Sequence, residues 1–274
     1  MTMSTLSDAS ARSTATYNAA ADHYDDAANA FWSRFGRATV DRLALRPGSH
    51  VLDVCCGSGA SALEAAAVVG AQGRVVGVDL ADNLLGLARA KAQARGLRNI
   101  EFRHGDLLDL PVADGAFDAV VCVFGIFFVP DMPLAVRSLW HAVKPGGVLA
   151  VTTWGPRWME PGTTAFWNAV REVRPDLYKG FNPWDRICHP DAVVALLHEG
   201  GADGPEAVAE AAMHPIPSPE AWWSVVMGSG YRGTFEQLDA REQARVRDAN
   251  LRYIRDSAIT AVEANVVYAT ARKR

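Results

Sequence analysis

The sequence predicts an α/β protein built on a doubly wound, mostly parallel sheet, and three observations carry that reading. Short β-branched runs alternate with helix-periodic segments through residues 50–155. The runs are apolar almost throughout, as expected of strands buried on both faces. The first of them, Val51-Leu-Asp-Val54, runs into Cys-Cys-Gly-Ser-Gly and then an alanine-rich segment. That is the order of a buried strand, a tight loop and a helix whose N-terminal N–H groups point at whatever the loop holds.

The bulk composition sets the frame. A chain of 274 residues with 49% hydrophobic and 21% charged side chains fits one large domain, or one domain with a sizeable insertion. The net charge of −4 gives no basic face for nucleic acid. The four cysteines, Cys55, Cys56, Cys122 and Cys188, have no CxxC spacing and read as small buried residues in a reducing compartment, with no metal. No signal segment and no apolar run of membrane-spanning length stands out, so the expected location is cytoplasmic, with no membrane partner.

Taken in order, residues 1–12 are rich in Ser, Thr and Ala and are expected to be a disordered tail. Thr14 to Leu45 reads as helix, with Tyr17, Ala20, Ala21, Tyr24, Ala28, Phe31, Trp32 and Phe35 at helical spacing and Pro47-Gly48 as its stop. Strands follow over 51–54, 74–78, 100–103, 117–123 and 148–153, each β-branched or apolar. Between them come helices over 61–69, over 82–95 with Asp82 as N-cap and Gly96 as stop, and over 132–143 ending at Lys-Pro-Gly-Gly. Alternating strands and helices imply right-handed crossovers and a sheet covered on both sides.

The pattern breaks at Trp154-Gly155-Pro156. Beyond it, helices are expected at 164–173 and 191–198, a strand at 207–214, two helices over 219–256 around Gly228-Ser-Gly230, and a last strand at 261–270. The strands then number seven. The domain reading is a helical lid at 13–46, a core at 47–155, substrate-cap insertions at 156–188 and 215–258, and the remaining core at 189–214 and 259–274.

A glycine-rich loop after a first strand serves several nucleotide-binding folds and is a weak signal alone. A phosphate loop needs Gly-Lys-Ser/Thr, and none follows here. A dinucleotide loop needs a third glycine, where this chain has Ala62 or its neighbours. It would also bring a pyrophosphate up against Asp53, which is repulsive. A ligand with a positive charge at that place suits Asp53 better.

Val51-Leu-Asp-Val-Cys-Cys-Gly-Ser-Gly59 closely resembles the first motif of class I S-adenosylmethionine-dependent methyltransferases. Four further segments resemble that family's motifs in order: Val75-Val-Gly-Val-Asp79-Leu80, Phe102-Arg-His-Gly-Asp106-Leu107, Phe117-Asp118 through Gly125, and Leu139 through Lys144-Pro-Gly-Gly-Val-Leu. Tyr17, Tyr24-Asp25 and the closing Tyr268-Ala-Thr-Ala-Arg-Lys are similar to the subgroup containing the ubiquinone and menaquinone methyltransferases. One departure is Cys55, where many members carry glycine.

The resemblance implies a Rossmann-like seven-stranded sheet with an antiparallel last strand, N-terminal helices and helical cap insertions. It also implies S-adenosylmethionine as cofactor. Asp53 would then stabilise the positive methionine end, with main-chain groups of Cys55, Gly57 and Gly59 along it. Asp79 would accept from both ribose hydroxyls, each charge-assisted bond being worth about 1.5–3 kcal/mol. Asp106 would accept from the adenine amine, Leu80 and Leu107 would sandwich the ring, and Phe124 would stand near the sulfur. Tyr17 and Trp32 would cover the cofactor.

Tyr24, Phe128, Trp154, Trp223 and Tyr231 are expected to line a small-molecule acceptor pocket. A base, if one is used, is expected among the histidines, with His23 and His189 the candidates and His141 and His214 weaker ones. A lone histidine is more often structural than catalytic. Asp53 and Asp79 could also be turn caps, though acids at matching offsets on two successive strands weigh against that. Gly105-Asp106 is a common turn pair, and Phe124 and the later aromatics could simply be core.

The expected function is methyl transfer to a small aromatic or hydrophobic acceptor, oxygen before nitrogen or carbon. A quinone-ring C-methyltransferase is the alternative within the class. An NAD-dependent oxidoreductase and a non-catalytic cofactor-binding protein are the alternatives outside it. The oligomeric state is open.

Overall fold

The computed structural model describes residues 3–110 and 112–274, with side chains from residue 10 onward. Helix α1 (Met3–Tyr24) and helix α2 (Phe31–Asp41) precede the sheet. Strand β1 (His50–Val54), helix α3 (Ala60–Val69), strand β2 (Arg74–Asp79), helix α4 (Asp82–Ala94) and strand β3 (Ile100–His104) then alternate. Strand β4 (Phe117–Val123), helix α5 (Met132–Ala142) and strand β5 (Val143–Trp154) complete the regular part. Helices α6 (Gly162–Val173) and α7 (Pro190–Glu199), strands β6 (Glu206–Glu210) and β7 (Met213–Pro215), and helices α8 (Pro219–Met227), α9 (Arg232–Phe235) and α10 (Ala240–Asp256) follow. Strands β8 (Ala261–Glu263) and β9 (Val266–Arg272) close the chain.

The main sheet has seven strands in the order β3-β2-β1-β4-β5-β9-β6. β1 pairs in parallel with β2 and with β4, so the strand order reverses between β1 and β4. β9 runs antiparallel to β5, with Trp154 opposite Val266 and Thr152 opposite Tyr268. In such sheets the crevice beyond the strand carboxyl ends at the reversal is where ligands bind. The central strands are buried because both faces are covered; Val51, Leu52 and Val54 of β1 are fully enclosed. Among the described residues, no helix is long and apolar enough to cross a membrane.

The N-terminal region differs from one continuous helix over 14–45. It breaks after Tyr24 because the Asp25 carboxylate is drawn to Ser58 Oγ at 2.7 Å and to Lys91 Nζ at 2.8 Å. These contacts, with Asn18 Oδ1 accepting from the Asn83 N–H at 2.9 Å, fasten α1 over the loop after β1 and the start of α4. Of the tail expected over 1–12, residues 1 and 2 lie outside the described residues. From Met3 the backbone is helical, since no glycine or proline interrupts the run into Tyr17.

Other boundaries also shift. The expected strand at 207–214 is two, and the expected last strand at 261–270 is split by Ala264-Asn265. Asn265 causes both breaks: its side chain accepts from the Ala212 N–H and its carbonyl from the Gly155 N–H. Residues 219–256 form three helices, because Asp239 makes its own capping box with Glu242 and starts α10 afresh. Asp82 is not the cap of α4. That place is taken by Ala81, whose N–H donates to Asp79, leaving Asp82 in the first helical turn.

α2 positions the site most directly. It lays Phe31, Trp32 and Phe35 on the ends of β4 and β5, and Gly36 meets the first turn of α3. A Cβ on Gly36 would fall 2.9 Å from the Ala60 carbonyl carbon and the Ser61 nitrogen, both backbone. Gly36→Ala is therefore expected to lower stability by about 1–3 kcal/mol despite alanine's better helix propensity. Urea denaturation read by tryptophan fluorescence checks this, and a stabilised variant would contradict the packing.

Candidate functional site

The loop after β1 and the end of β2 are tied by one carboxylate. Asp79 Oδ2 accepts the Gly57 N–H at 2.8 Å and Oδ1 accepts the Ala81 N–H at 2.8 Å. Desolvation raises the Asp79 pKa, and those N–H groups act against the rise. The loop turns tightly through left-handed Gly57 and Gly59, at φ of 52° and 85°. Two non-glycine residues also adopt left-handed backbone, Cys55 at φ 59° and Phe124 at φ 55°. Such conformations cost about 1–3 kcal/mol each and concentrate at ligand sites.

Two cavities open here. A narrow cleft of about 90 Å³ is lined by Tyr17, Cys55, Asp79, Leu80, Asp106 and Leu107, among others. Beside it lies a larger chamber of about 650 Å³ walled by aromatics, including Phe127, Trp154, Trp158, Trp184 and Tyr231. Tyr17, Trp32, Phe124 and Phe128 line both. Phe124 stacks on Trp154 with ring centroids 3.7 Å apart and planes within 8°, so the shared wall is rigid.

The acids thus have different placements. Asp79 and Asp106 line the cleft, and Asp106 Oδ1 accepts the Leu108 N–H at 2.9 Å. Asp53 lies beneath the loop instead, 1% exposed, with Oδ2 accepting from Ser61 Oγ at 2.6 Å and Oδ1 without a partner among the described residues. Burial pushes the Asp53 carboxyl up to about 7; the Ser61 bond opposes this and the Asp79 charge adds to it. Gly57 and Gly59 also lie behind the cleft wall, shaping the loop rather than facing the cleft.

The expected acceptor residues divide too. Phe128, Trp154 and Tyr231 line the chamber. Tyr24 stacks on Trp32 at 5.0 Å behind the wall, and Trp223 packs on Phe235 at 5.0 Å away from it. Neither candidate histidine lines the cleft or the chamber. His23 Nδ1 pairs with Asp26 Oδ2 at 2.8 Å, and His189 is the exposed residue preceding α7. His141 is exposed on α5, and His214 is buried against the Ala28 carbonyl at 2.7 Å. Sequence reasoning missed Ser10, Ser13 and Thr14 of α1, which line the cleft with Tyr17. Their i, i+3, i+4, i+7 spacing is one helix face, but small hydroxyl residues carry no hydrophobic signal.

Residues 10–181, more than half of the chain, match the family model described as the ubiE/COQ5 methyltransferase family. The chain belongs to that family. The family is one of methyltransferases, whose cofactor is S-adenosylmethionine. A demethylmenaquinone methyltransferase of Bacillus cereus is 39% identical over 111 residues, which cover 40% of this chain and 47% of that protein. The chain thus spans about half the length of the curated relatives it matches.

Solved structures share the fold. The YcgJ protein of Bacillus subtilis aligns with a TM-score of 0.58 at 16% identity, covering 88% of this chain and 99% of that one. A Haemonchus contortus phosphoethanolamine N-methyltransferase, solved with S-adenosylhomocysteine, aligns with a TM-score of 0.55 at 16% identity, covering 88% of this chain and 53% of that one. The residues of the cleft suit that cofactor: the desolvated carboxylate of Asp79, the side chain of Asp106 facing the same cleft, and apolar Leu80 and Leu107 on the walls.

The Asp53 shift carries a sign. Its folded value lies above the unfolded one, so between about pH 4 and 7 the folded state binds the extra proton and is favoured by it. Raising the pH removes that stabilisation. The stability of the wild type relative to Asp53→Asn is therefore expected to fall between pH 5 and 8, by on the order of a few kcal/mol. Urea denaturation of both proteins across that range measures it. A difference that is flat with pH would mean that Asp53 is not a desolvated carboxyl.

Proposed function

We propose that the protein transfers a methyl group from S-adenosylmethionine, held in the cleft, to a small aromatic or hydrophobic acceptor held in the chamber. The observation that carries this reading is the shared wall: Tyr17, Trp32, Phe124 and Phe128 border both spaces, so one reacting pair can meet there. S-adenosylmethionine supplies an electrophilic methyl on a sulfonium. Asp79 would accept from the ribose hydroxyls, Asp106 from the adenine amine, and Leu80 with Leu107 would hold the ring. Asp53 would act on the methionine end only indirectly, since it is buried against Ser61 and does not line the cleft.

The chain's own contribution is alignment and exclusion of water. Fixing nucleophile, methyl and sulfur in line can be worth up to about 7–11 kcal/mol. The stacked Phe124 and Trp154 hold the acceptor's plane, and α1 with Tyr17 acts as a lid. No histidine among the described residues lines either cavity. This favours an acceptor that arrives ionised, or that gives its proton to water as the new bond forms. Oxygen remains the preferred acceptor atom. The names of the curated relatives support a second reading, C-methylation of a quinone-type ring.

Calorimetry with S-adenosylhomocysteine and with NADH tests the cofactor. The first is expected to bind and the second not; the reverse would overturn the proposal in favour of an oxidoreductase. Asp79→Ala is expected to weaken S-adenosylhomocysteine about ten- to a hundredfold through the loss of one or two charge-assisted bonds. Carbon-13 NMR of product made with labelled methyl donor separates an oxygen-bound from a ring-carbon-bound methyl. A ring-carbon signal would replace the oxygen reading with the quinone one.

A further inference from the structure

We propose that the chamber takes an aromatic ligand bearing an anionic group, which Arg12 and Lys179 hold at the mouth. This rests on the chamber being the acceptor site. Arg12 comes from α1 and Lys179 from the segment after α6, and both line the chamber. Neither makes an ion pair among the described residues, although fifteen other pairs form among them. Glu236 also lines the chamber, but its carboxylate is already engaged by Arg232 Nε at 2.6 Å. Two cations therefore line the chamber with no uncommitted carboxylate among its described lining residues.

Their surroundings fit a ring with a charged edge. Lys179 Nζ stands 5.8 Å from the Trp167 ring centroid, so the ammonium is held against the aromatic wall. Desolvation first, and the Arg12 charge second, hold Lys179 below its ordinary ammonium value. An anion between the two would relieve that repulsion and accept charge-assisted hydrogen bonds from both. Because the two cations belong to different segments, one anion would also pin α1 across the mouth.

Two fluorescent probes test this on the full chain. Anilinonaphthalene sulfonate carries the charge, and N-phenylnaphthylamine is the same ring system without it. The sulfonate is expected to bind more tightly, and more weakly as salt rises. The double variant Arg12→Gln/Lys179→Gln is expected to weaken it about five- to twentyfold while the neutral probe changes less than twofold. Equal loss of both probes, or loss of neither, overturns the proposal. Trp158→Ala should weaken both probes; if it changes neither, the chamber is not an aromatic site and the acceptor reading fails with it. S-adenosylhomocysteine affinity, measured on the same variants, should stay unchanged and reports intact folding.

Discussion

The two hydrogen bonds to Asp79 hold the site together. One carboxylate takes the Gly57 N–H from the loop after β1 and the Ala81 N–H at the entry to α4. It therefore fixes the two βα turns on one side of the strand reversal. Burial of the carboxyl raises its pKa, and the N–H groups of those bonds act against that rise. Ribose hydroxyls would donate further hydrogen bonds to a group that is already oriented.

Around that tie, the helices do two jobs. α2 presses aromatic side chains onto the ends of β4 and β5 and approaches α3 closely at Gly36. α1 is fastened at its far end by Asp25, Ser58 and Lys91, and at mid-length by Asn18 on Asn83. These fastenings are polar and partly exposed, worth little individually. The Phe124–Trp154 stack is buried and apolar. The design is a stiff wall with a cover that is more weakly held, which suits a site that must admit one ligand and then exclude water.

Much of this was legible in the sequence, for local reasons. Asp79 and Asp106 fall at strand ends, where the alternation of strands and helices already places them on one edge of the sheet. Tyr17 and Trp32 announce themselves by aromatic spacing along helices. What failed was anything set by a path through space. Asp53 turns to Ser61, eight residues on, and so lies under the loop rather than in the cleft. His23 and His189 belong to segments that border the site, yet their side chains point to Asp26 and to solvent. Trp158 and Lys179 reach the chamber from segments outside the regular helices, and Arg12 from a stretch of α1 whose small polar residues carry no hydrophobic signal, so no pattern in the chain marks them out.

The most direct test of the central claim is a crystal structure with S-adenosylhomocysteine. The account predicts both ribose hydroxyls within hydrogen-bond distance of Asp79, and the adenine between Leu80 and Leu107 with its amine on Asp106. It also predicts the sulfur beside Phe124, facing the aromatic chamber. A nucleoside bound elsewhere on the sheet edge, or a ribose that leaves Asp79 on its two backbone N–H groups alone, would contradict it.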